Sequence, residues 1–270
     1  MSSHNSTDAI IVGAGVIGSA IALGLSRNGL KTLNVDALPA AGYGSTSHSS
    51  AVIRPFYSHV TAAAIAHEAR HRWLEWAEYL RYEDPAGLAR YTESGGLVLI
   101  REGEDAAYAQ NLAALDEIGV GYELLDARGV AGLYPGINLE AFGPPKPADD
   151  PDFGAPVPGR ISGGIKIAEA GYVSDPQLAA HNLMAAAVAI GAEFRFNASI
   201  TGIERTDERV EGVRLADGER LCAPIVINAA GPHSAMINGL AGVTDSLPIQ
   251  TRPERHEVAY LAAPEGYLEG

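Results

Sequence analysis

The sequence predicts an α/β fold of two parts. The larger part contains a βαβ unit on a parallel sheet, and the smaller part is mixed α+β. Three observations predict this fold. An apolar stretch, a run of closely spaced glycines, an amphipathic stretch and a second apolar stretch follow one another within residues 9–36. Strand-like and helix-like segments then alternate along the chain. The 270 residues, 47% of them hydrophobic, suffice for a large core in one domain or two.

The first 36 residues justify the βαβ unit. Ala9–Val12 is short and wholly apolar, which is typical of a strand buried on both faces of a parallel sheet. Residues 16–28 have helical periodicity, and Gly29 is expected to end that helix. Leu30–Asp36 is the second strand. The apolar stripe expected on the helix is Ile17, Ile21 and Leu25.

The later elements alternate between helices and strands. Helices are expected over 61–82, 105–118 and 176–190, and a strand over 95–102. Asp175 suits the N-cap of the third helix, since a carboxylate there can accept a backbone hydrogen bond, and Pro176 suits its first turn. Residues 141–159 hold six prolines and are expected to be irregular.

The glycines of the first unit have the spacing G-x-G-x-x-G. The first glycine allows a tight turn, the second a close approach of the backbone to a pyrophosphate, and the third close helix packing. The helix start after the turn offers N–H groups to an anion, and Asp36 at the end of the second strand can accept ribose hydroxyl groups. The order of these features predicts a dinucleotide site. Its expected residues are Gly13, Ala14, Gly15, Val16, Ile17, Gly18 and Asp36.

The segment after Asp36 decides between the dinucleotides. Neither Arg nor Lys occurs there for many residues, which disfavours the 2′-phosphate of NADP. A nicotinamide enzyme would continue the βαβ winding, whereas this chain enters a loop rich in glycine and hydroxyl residues at 42–50. Such a loop can bring several backbone N–H groups to a phosphate or a ring. FAD is therefore favoured, with an NAD-dependent dehydrogenase as an alternative.

Four segments carry a resemblance to a known family: GSTSHSSAVIRPFYS at 44–58, EAGYVSDPQLAAHNLMAAAVAIGAEFRFNASITGIE at 169–204, IVINAAGPHS at 225–234 and LPIQTRPERHEVAYL at 247–261. The chain resembles the FAD-dependent amine and amino-acid oxidase superfamily that contains D-amino-acid oxidase, glycine oxidase and sarcosine oxidase. The resemblance implies a Rossmann-like FAD-binding domain at 1–90 and 160–245. It also implies a partial substrate domain at 91–159 and 246–270, incomplete at the C-terminus relative to the family.

The resemblance also implies functional residues. FAD would be bound non-covalently, because Cys222 does not match a position of covalent attachment. The further cofactor residues would be Gly44, Ser45, Thr46, His48, Ser49, Ile200, Ala230 and Gly231. The reaction would be oxidation of a C–N bond in a small amino acid or secondary amine, with O2 or an electron carrier as acceptor. Candidate catalytic residues are Arg54, Tyr57, His256 and Tyr260.

Two of the catalytic candidates, Arg54 and Tyr57, have alternative interpretations. Arg54 could clamp a substrate carboxylate in a bidentate way, or it could be a surface or structural arginine. Tyr57 could close a pocket or pack as an ordinary tyrosine. The lone Cys222 is expected to be a buried or half-buried structural thiol. A chain short of the family's last part could also be a flavin-binding subunit or an inactive remnant, completed by a second subunit.

A rival motif is His67-Glu68-Ala69-Arg70-His71, which reads H-E-x-x-H and would suit a zinc hydrolase. A solvated helix face is the expected alternative, since Ile65, Trp73, Trp76 and Leu80 could pack that helix on the nucleotide domain.

The composition limits the kinds of partner and the cellular location that are expected for the chain. The formal net charge of −14 and the lack of a basic stripe exclude an ordinary nucleic-acid binder. The polar N-terminus and the lack of long apolar runs predict a cytoplasmic protein without a membrane span.

Overall fold

The computed structural model describes residues 7–144, 146–207, 209–254 and 262. The chain divides into two compact units. The first unit contains the residues up to Ala51, Trp76–Arg90 and the residues from Ser174 onward. The second unit contains Val52–Glu75 and Tyr91–Val173.

The helices of the described residues are α1 (Val16–Arg27), α2 (Val60–Leu74), α3 (Trp76–Leu80), α4 (Ala109–Ile118), α5 (Ala127–Leu133), α6 (Pro176–Ala189) and α7 (Ser234–Leu240). The strands are β1 (Ala9–Val12), β2 (Thr32–Val35), β3 (Val52–Ile53), β4 (Tyr91–Thr92), β5 (Gly96–Arg101), β6 (Tyr122–Asp126), β7 (Glu140–Ala141), β8 (Val157–Ile167), β9 (Gly171–Val173), β10 (Glu193–Arg195), β11 (Ile200–Arg205), β12 (Val210–Leu215), β13 (Arg220–Cys222) and β14 (Ile225–Asn228). Short 3₁₀ turns cover Asp105–Tyr108, Gly231–His233 and Thr244–Ser246.

The first unit is built on a parallel sheet with the strand order β10-β2-β1-β14. The predicted βαβ unit is confirmed, since β1, α1 and β2 follow one another and the two strands pair in parallel. An antiparallel sheet of β11, β12 and β13 accompanies it. Ile10, Val35, Val213 and Leu215 form one buried cluster that joins the two sheets. The α/β fold class is therefore correct.

The buried face of α1 differs from the predicted stripe. Ile17 is 62% exposed, whereas Gly18, Ala22 and Leu23 are buried. Small residues on this face let the helix approach the sheet and α6 closely, and α6 also presents buried alanines. The buried face of α1 is therefore the one whose small side chains allow a close approach, and not the one with the largest apolar side chains.

The helix expected over 61–82 is two helices. The break lies at Glu75, so that α2 belongs to the second unit and α3 to the first. Trp76 is buried and donates its indole N–H to the Asn182 side-chain oxygen at 3.3 Å. Ile65 is 67% exposed, so its expected role in packing this helix is wrong.

The second unit contains an antiparallel sheet of order β5-β8-β6, with β7 also paired to β8. A smaller antiparallel sheet has the order β3-β9-β4. The helix α4 begins after a 3₁₀ turn, later than expected, and packs near α2. The core cluster of this unit contains Phe56, Ile100, Leu115, Ile165 and Ile167.

The bounds of the two units differ from the expected domain division. Residues 52–75 and 160–173 lie in the second unit, because β8 pairs with β5 and β6 while β9 pairs with β3 and β4. Residues 246–254 lie in the first unit. The functional roles assigned to the two domains stay predictions.

Two further findings concern the exposure of Cys222 and the length and polarity of the helices. Cys222 is exposed at the end of β13, so the expectation of a buried or half-buried thiol is wrong. The neighbouring Leu221 packs against the core cluster, and the alternation along a strand turns Cys222 the other way. Within the described ranges, every helix is too short or too polar to cross a membrane.

Candidate functional site

The glycine turn of the first unit has the geometry that its motif requires. Gly13 has φ +109°, and a Cβ there would lie 2.5 Å from the Ala229 carbonyl oxygen. A Cβ on Gly18 would lie 2.1 Å from the Gly13 carbonyl oxygen. Both distances are shorter than real Cβ contacts, so any side chain at these positions would force the backbone to move.

The start of α1 lies against the loop between β2 and β3. Gly15 is the N-cap of the helix and makes no side-chain cap bond. The Thr46 hydroxyl accepts a hydrogen bond from the Val16 N–H at 3.1 Å, and the Gly42 N–H donates to the Ala14 carbonyl at 2.9 Å. The loop and the glycine turn are therefore adjacent in space.

Asp36 lies beside the same turn. One carboxylate oxygen accepts from the Ala14 N–H at 2.6 Å, and the other accepts from the Leu38 N–H at 2.8 Å. The residue is half-buried. Because each carboxylate oxygen has a second lone pair, Asp36 can brace the turn and still accept a ribose hydroxyl.

The other loop candidates make local contacts. The His48 ring nitrogen Nδ1 lies 2.9 Å from the Gly44 carbonyl, and the imidazole is exposed. The Ser49 hydroxyl accepts from the Ala51 N–H at 2.8 Å. Ser45 is exposed. These contacts order the loop, and the proposed contacts of the loop with a flavin stay predictions.

The end of β14 reaches the turn from the other side. The Ala229 N–H donates to the Val12 carbonyl at 2.9 Å, and the Cα of Ala230 would lie 3.4 Å from a Cβ on Gly13. Gly231 has φ +56° and begins a short 3₁₀ turn. Ala230 thus lies beside the glycine turn, and its contact with FAD stays a prediction.

Ile200, the residue expected beside the adenine, is the first residue of β11 and packs on the core cluster that contains Val35. The backbone just before it is tied to β2, because the Ala198 N–H donates to the Asp36 carbonyl at 2.9 Å. The segment that leads into Ile200 therefore lies in space beside the end of β2, and the contact of Ile200 with adenine stays a prediction.

Sequence reasoning missed Asn34. Its side chain is fully buried in β2, and its amide nitrogen donates to the Gly13 carbonyl at 3.0 Å and the Gly18 carbonyl at 3.1 Å. Its side-chain oxygen is buried without a hydrogen-bond partner among the described residues. The available signal was an amide in the middle of an apolar parallel strand, where apolar side chains are the rule.

In the second unit, Arg54 and Tyr57 lie together. The guanidinium carbon of Arg54 is 5.3 Å from the centroid of the Tyr57 ring, and the guanidinium donates to the Phe56 carbonyl. Tyr57 is 42% exposed and Arg54 is also exposed. A cation held over an aromatic ring is oriented before any ligand arrives. His256 and Tyr260 lie outside the described residues.

The side chains of the H-E-x-x-H motif are engaged with other groups. His67 Nδ1 lies 3.0 Å from a Glu169 carboxylate oxygen, and Glu68 forms an ion pair with Arg72 at 3.1 Å. The rings of His67 and His71 stand edge to face with centroids 5.4 Å apart. Across residues 7–144, 146–207, 209–254 and 262, no three His, Cys, Asp or Glu side chains are placed to hold a metal ion.

Arg70, inside that motif, joins two carboxylates of the second unit. It donates to Glu93 and lies 3.4 Å from Glu169. The hydrogen bond from Arg70 lowers the pKa of the Glu93 carboxyl below its ordinary value, and the same bond raises the pKa of Arg70. Burial raises the pKa of the nearby Tyr91 hydroxyl. This cluster holds α2 beside the β3-β9-β4 sheet.

Comparisons with known proteins agree with the resemblance. The family model described as "FAD dependent oxidoreductase" matches residues 8–269. The chain is 28% identical over 260 residues to the tRNA 5-methylaminomethyl-2-thiouridine biosynthesis bifunctional protein MnmC of Azoarcus sp. (strain BH72), covering 96% of this chain and 36% of that protein. It is 30% identical over 141 residues to the monomeric sarcosine oxidase of Bacillus sp. (strain B-0618), covering 52% of this chain and 34% of that protein.

Solved structures share the fold. The L-proline dehydrogenase from P. horikoshii superposes with a TM-score of 0.69 at 18% identity, over 88% of this chain and 56% of that chain. The glycine oxidase from Geobacillus kaustophilus superposes with a TM-score of 0.67 at 22% identity, over 87% of this chain and 58% of that chain. The chain thus spans between about a third and just over half of the length of these four relatives.

Proposed function

The chain belongs to the DAO family of FAD-dependent oxidoreductases, with FAD as its cofactor, and from this premise we propose that it oxidises a C–N bond in a small amino acid or secondary amine. The glycine turn of the first unit would hold the FAD pyrophosphate without a covalent link. The reaction would be an oxidative deamination or demethylation.

The observation that carries the FAD site is the convergence of three chain segments on the glycine turn. The segments around Asp36, Thr46 and Ala230 each contact it through the backbone or a short polar side chain. A turn chosen only for packing would not need a carboxylate on one side and a hydroxyl loop on the other. The arrangement supports a site that binds phosphate at the turn and ribose at Asp36.

The electrostatics of α1 fit a diphosphate. The first turn of the helix contains no acidic residue, so the partial positive charge of the helix start is not neutralised by its own side chains. The whole chain has a formal net charge of −14 and would repel an anion at long range. Binding of the diphosphate must therefore depend on the backbone N–H groups at the start of α1.

The reaction would divide the work between cofactor and chain. FAD, when bound, supplies the electron-accepting chemistry at the carbon next to the amine nitrogen. Arg54 would bind the substrate carboxylate through two parallel N–H donors, and Tyr57 would hold the guanidinium in place through its ring face. The names of three relatives contain sarcosine, glycine and L-proline. All three compounds are small amino acids with a carboxylate.

The proposal also includes the electron acceptor for the reduced flavin and the assembly of the chain with a second subunit. O2 or an electron carrier would reoxidise the flavin, and a second subunit would contribute to the pocket. A flavin-binding subunit without its own activity is the second candidate. FAD binding and substrate oxidation are therefore separate measurements.

The experiment is a spectral one. The purified chain is titrated with FAD, and the flavin absorption and fluorescence are followed. Sarcosine, glycine, L-proline and an amine without a carboxylate are then added without oxygen, and flavin bleaching is recorded. Bleaching by one of these amines supports the oxidoreductase. Binding without bleaching by any amine supports the flavin-binding subunit, and a chain that takes up no FAD contradicts both candidates.

A further inference from the structure

We propose that Asn34 is a positioning residue for the proposed FAD site, and that it clamps the peptide group between Gly13 and Ala14 together with Asp36. The proposal rests on the proposed function, because it assigns the clamp to the same pyrophosphate turn. Asn34 is fully buried and would not touch the ligand. It would act through the backbone that the ligand contacts.

The clamp holds both polar groups of one peptide. The Asn34 amide nitrogen donates to the Gly13 carbonyl at 3.0 Å, and the Ala14 N–H donates to the Asp36 carboxylate at 2.6 Å. The carbonyl of residue 13 and the N–H of residue 14 belong to the same planar unit and point in opposite directions. Two side chains of one strand therefore fix the orientation of this plane from both sides.

This peptide needs such a clamp. Gly13 has φ +109° and no Cβ, so the usual steric barriers to rotation are missing at this residue. If the peptide turned over, the Gly13 carbonyl oxygen would face the Asp36 carboxylate in place of the Ala14 N–H, and the turn that presents the following N–H groups to a phosphate would be distorted. The same glycine that makes the turn possible thus makes it mobile unless something holds it.

The position of Asn34 in the sheet suits it for this task. Residues 34 and 36 are two apart, so their side chains leave the same face of the strand. β2 is paired on both sides, with β1 and β10, which makes it a rigid base. The second bond of Asn34, to the Gly18 carbonyl at 3.1 Å, also ties the first turn of α1 to the clamp.

The unpartnered oxygen of Asn34 favours a functional interpretation over a packing one. A buried amide oxygen without a partner is unfavourable, whereas an apolar side chain such as leucine, which branches at the same carbon, would carry no such penalty. Asn182 of α6, equally buried, has partners for both its nitrogen and its oxygen. Asn34 therefore keeps an amide where packing alone does not require one.

The test compares Asn34→Leu with Thr32→Val. Thr32 is buried on the same face of the same strand, and its hydroxyl bonds the Ser26 hydroxyl of α1 at 3.3 Å, away from the glycine turn. Each variant is titrated with FAD, and the thermal unfolding of the FAD-free protein is measured. We expect Asn34→Leu to raise the Kd for FAD by about tenfold or more, while Thr32→Val stays within about twofold.

Two further variants sharpen the test. Asn34→Ala, which cannot clash, takes the place of Asn34→Leu if the larger side chain prevents folding. In an Asp36→Ala background, the substitution at Asn34 should cost less FAD affinity than in the wild type, because the clamp has already lost one side. A merely structural role would lower the unfolding temperature of the FAD-free protein without this coupling.

Several outcomes would overturn the proposal. The clamp is wrong if the Asn34 variants bind FAD as the wild type does, if Thr32→Val loses as much affinity, or if the effects at Asn34 and Asp36 are independent. These outcomes leave the proposed function intact. Failure of the wild-type chain to bind FAD would overturn the proposed function, and the clamp with it.

Discussion

Single residues of the glycine turn are constrained by distances that can be stated atom by atom. Gly13 combines a left-handed backbone with a carbonyl oxygen 2.5 Å from any added Cβ. Gly24, in the middle of α1, has no heavy atom within 4 Å of an added Cβ. The two glycines therefore serve different purposes.

Alanine at these two positions should have opposite effects. Gly13→Ala should destabilise the protein by roughly 1–3 kcal/mol through backbone strain, and should abolish FAD binding. Gly24→Ala should stabilise it by about 0.5–1 kcal/mol, because alanine loses less backbone entropy in a helix. Urea unfolding of the FAD-free variants measures both values. Equal effects of the two substitutions would contradict this account of the turn.

Arg54 allows a prediction about substrate class. Arg54→Met should raise KM by about 10–100-fold for amino acids with a carboxylate, which corresponds to the loss of a charge-assisted hydrogen bond of roughly 1.5–3 kcal/mol. Amines without a carboxylate should be oxidised with an unchanged KM. Arg72→Met, which removes another exposed arginine of the second unit, is the control and should leave both unchanged. A uniform loss across all amines would argue against a carboxylate clamp.

At the scale of elements, the helix α6 shows how a local signal fixes a boundary. The Asp175 carboxylate accepts a hydrogen bond from the Leu178 N–H at 2.9 Å, and Pro176 follows at the first helical position. Both features are visible in the sequence, and the helix begins where they predict. α6 packs on α1, the helix whose start forms the proposed phosphate site.

The N-cap of α6 can be tested by two conservative substitutions. Asp175→Ala should lower the free energy of unfolding by about 1 kcal/mol, since the Leu178 N–H loses its acceptor. Asp175→Asn should remain close to the wild type, because asparagine caps a helix about as well. The free energies come from urea unfolding at neutral pH. If both variants lose the same stability, the charge rather than the cap is responsible.

On the scale of the whole molecule, each unit contains a carboxylate held by an arginine. In the second unit the hydrogen bond from Arg70 lowers the pKa of Glu93, and in the first unit that from Arg195 lowers the pKa of Glu219. A carboxyl with a lower pKa in the folded chain contributes stability above its ordinary value of 4.5. That contribution is lost as the pH falls through the lower folded value.

Acid should therefore destabilise the protein progressively below pH 4.5, the ordinary pKa of these carboxyl groups. Arg70→Met should make the fall in unfolding free energy on this side shallower, because Glu93 loses the partner that lowers its pKa. Arg72→Met removes an exposed i,i+4 pair and should leave the slope unchanged. Urea unfolding between neutral pH and pH 3 measures the slopes, and identical slopes in all three proteins would contradict the assignment.

The sequence predicted much of the first unit and less of the second. The βαβ unit, the glycine turn and the cap of α6 depend on neighbours within a few residues, so that their patterns could be read directly. The break at Glu75 and the long strand β8 depend on partners far along the chain. The expected domain bounds differ from the compact units for that reason.

The site shows the same division. Gly13, Asp36 and Thr46 were found from motif and resemblance, and the structure brings their segments together. Asn34 was missed, although Thr32 and Asn34 alternate with Leu33 and Val35 along β2 and Asp36 continues the polar row just after the strand. The role of a single polar residue in a strand cannot be assigned until its hydrogen-bond partners are known.

The sequence by itself determined the fold class and the dinucleotide turn, because glycine conformation, caps and periodicity are local properties, and its resemblance to a known superfamily indicated the family. Only the tertiary structure decided which face of α1 is buried, where the two units divide and which carbonyls the Asn34 amide holds. Those choices depend on atoms brought together by strand pairing and close packing, and a linear sequence does not give their distances.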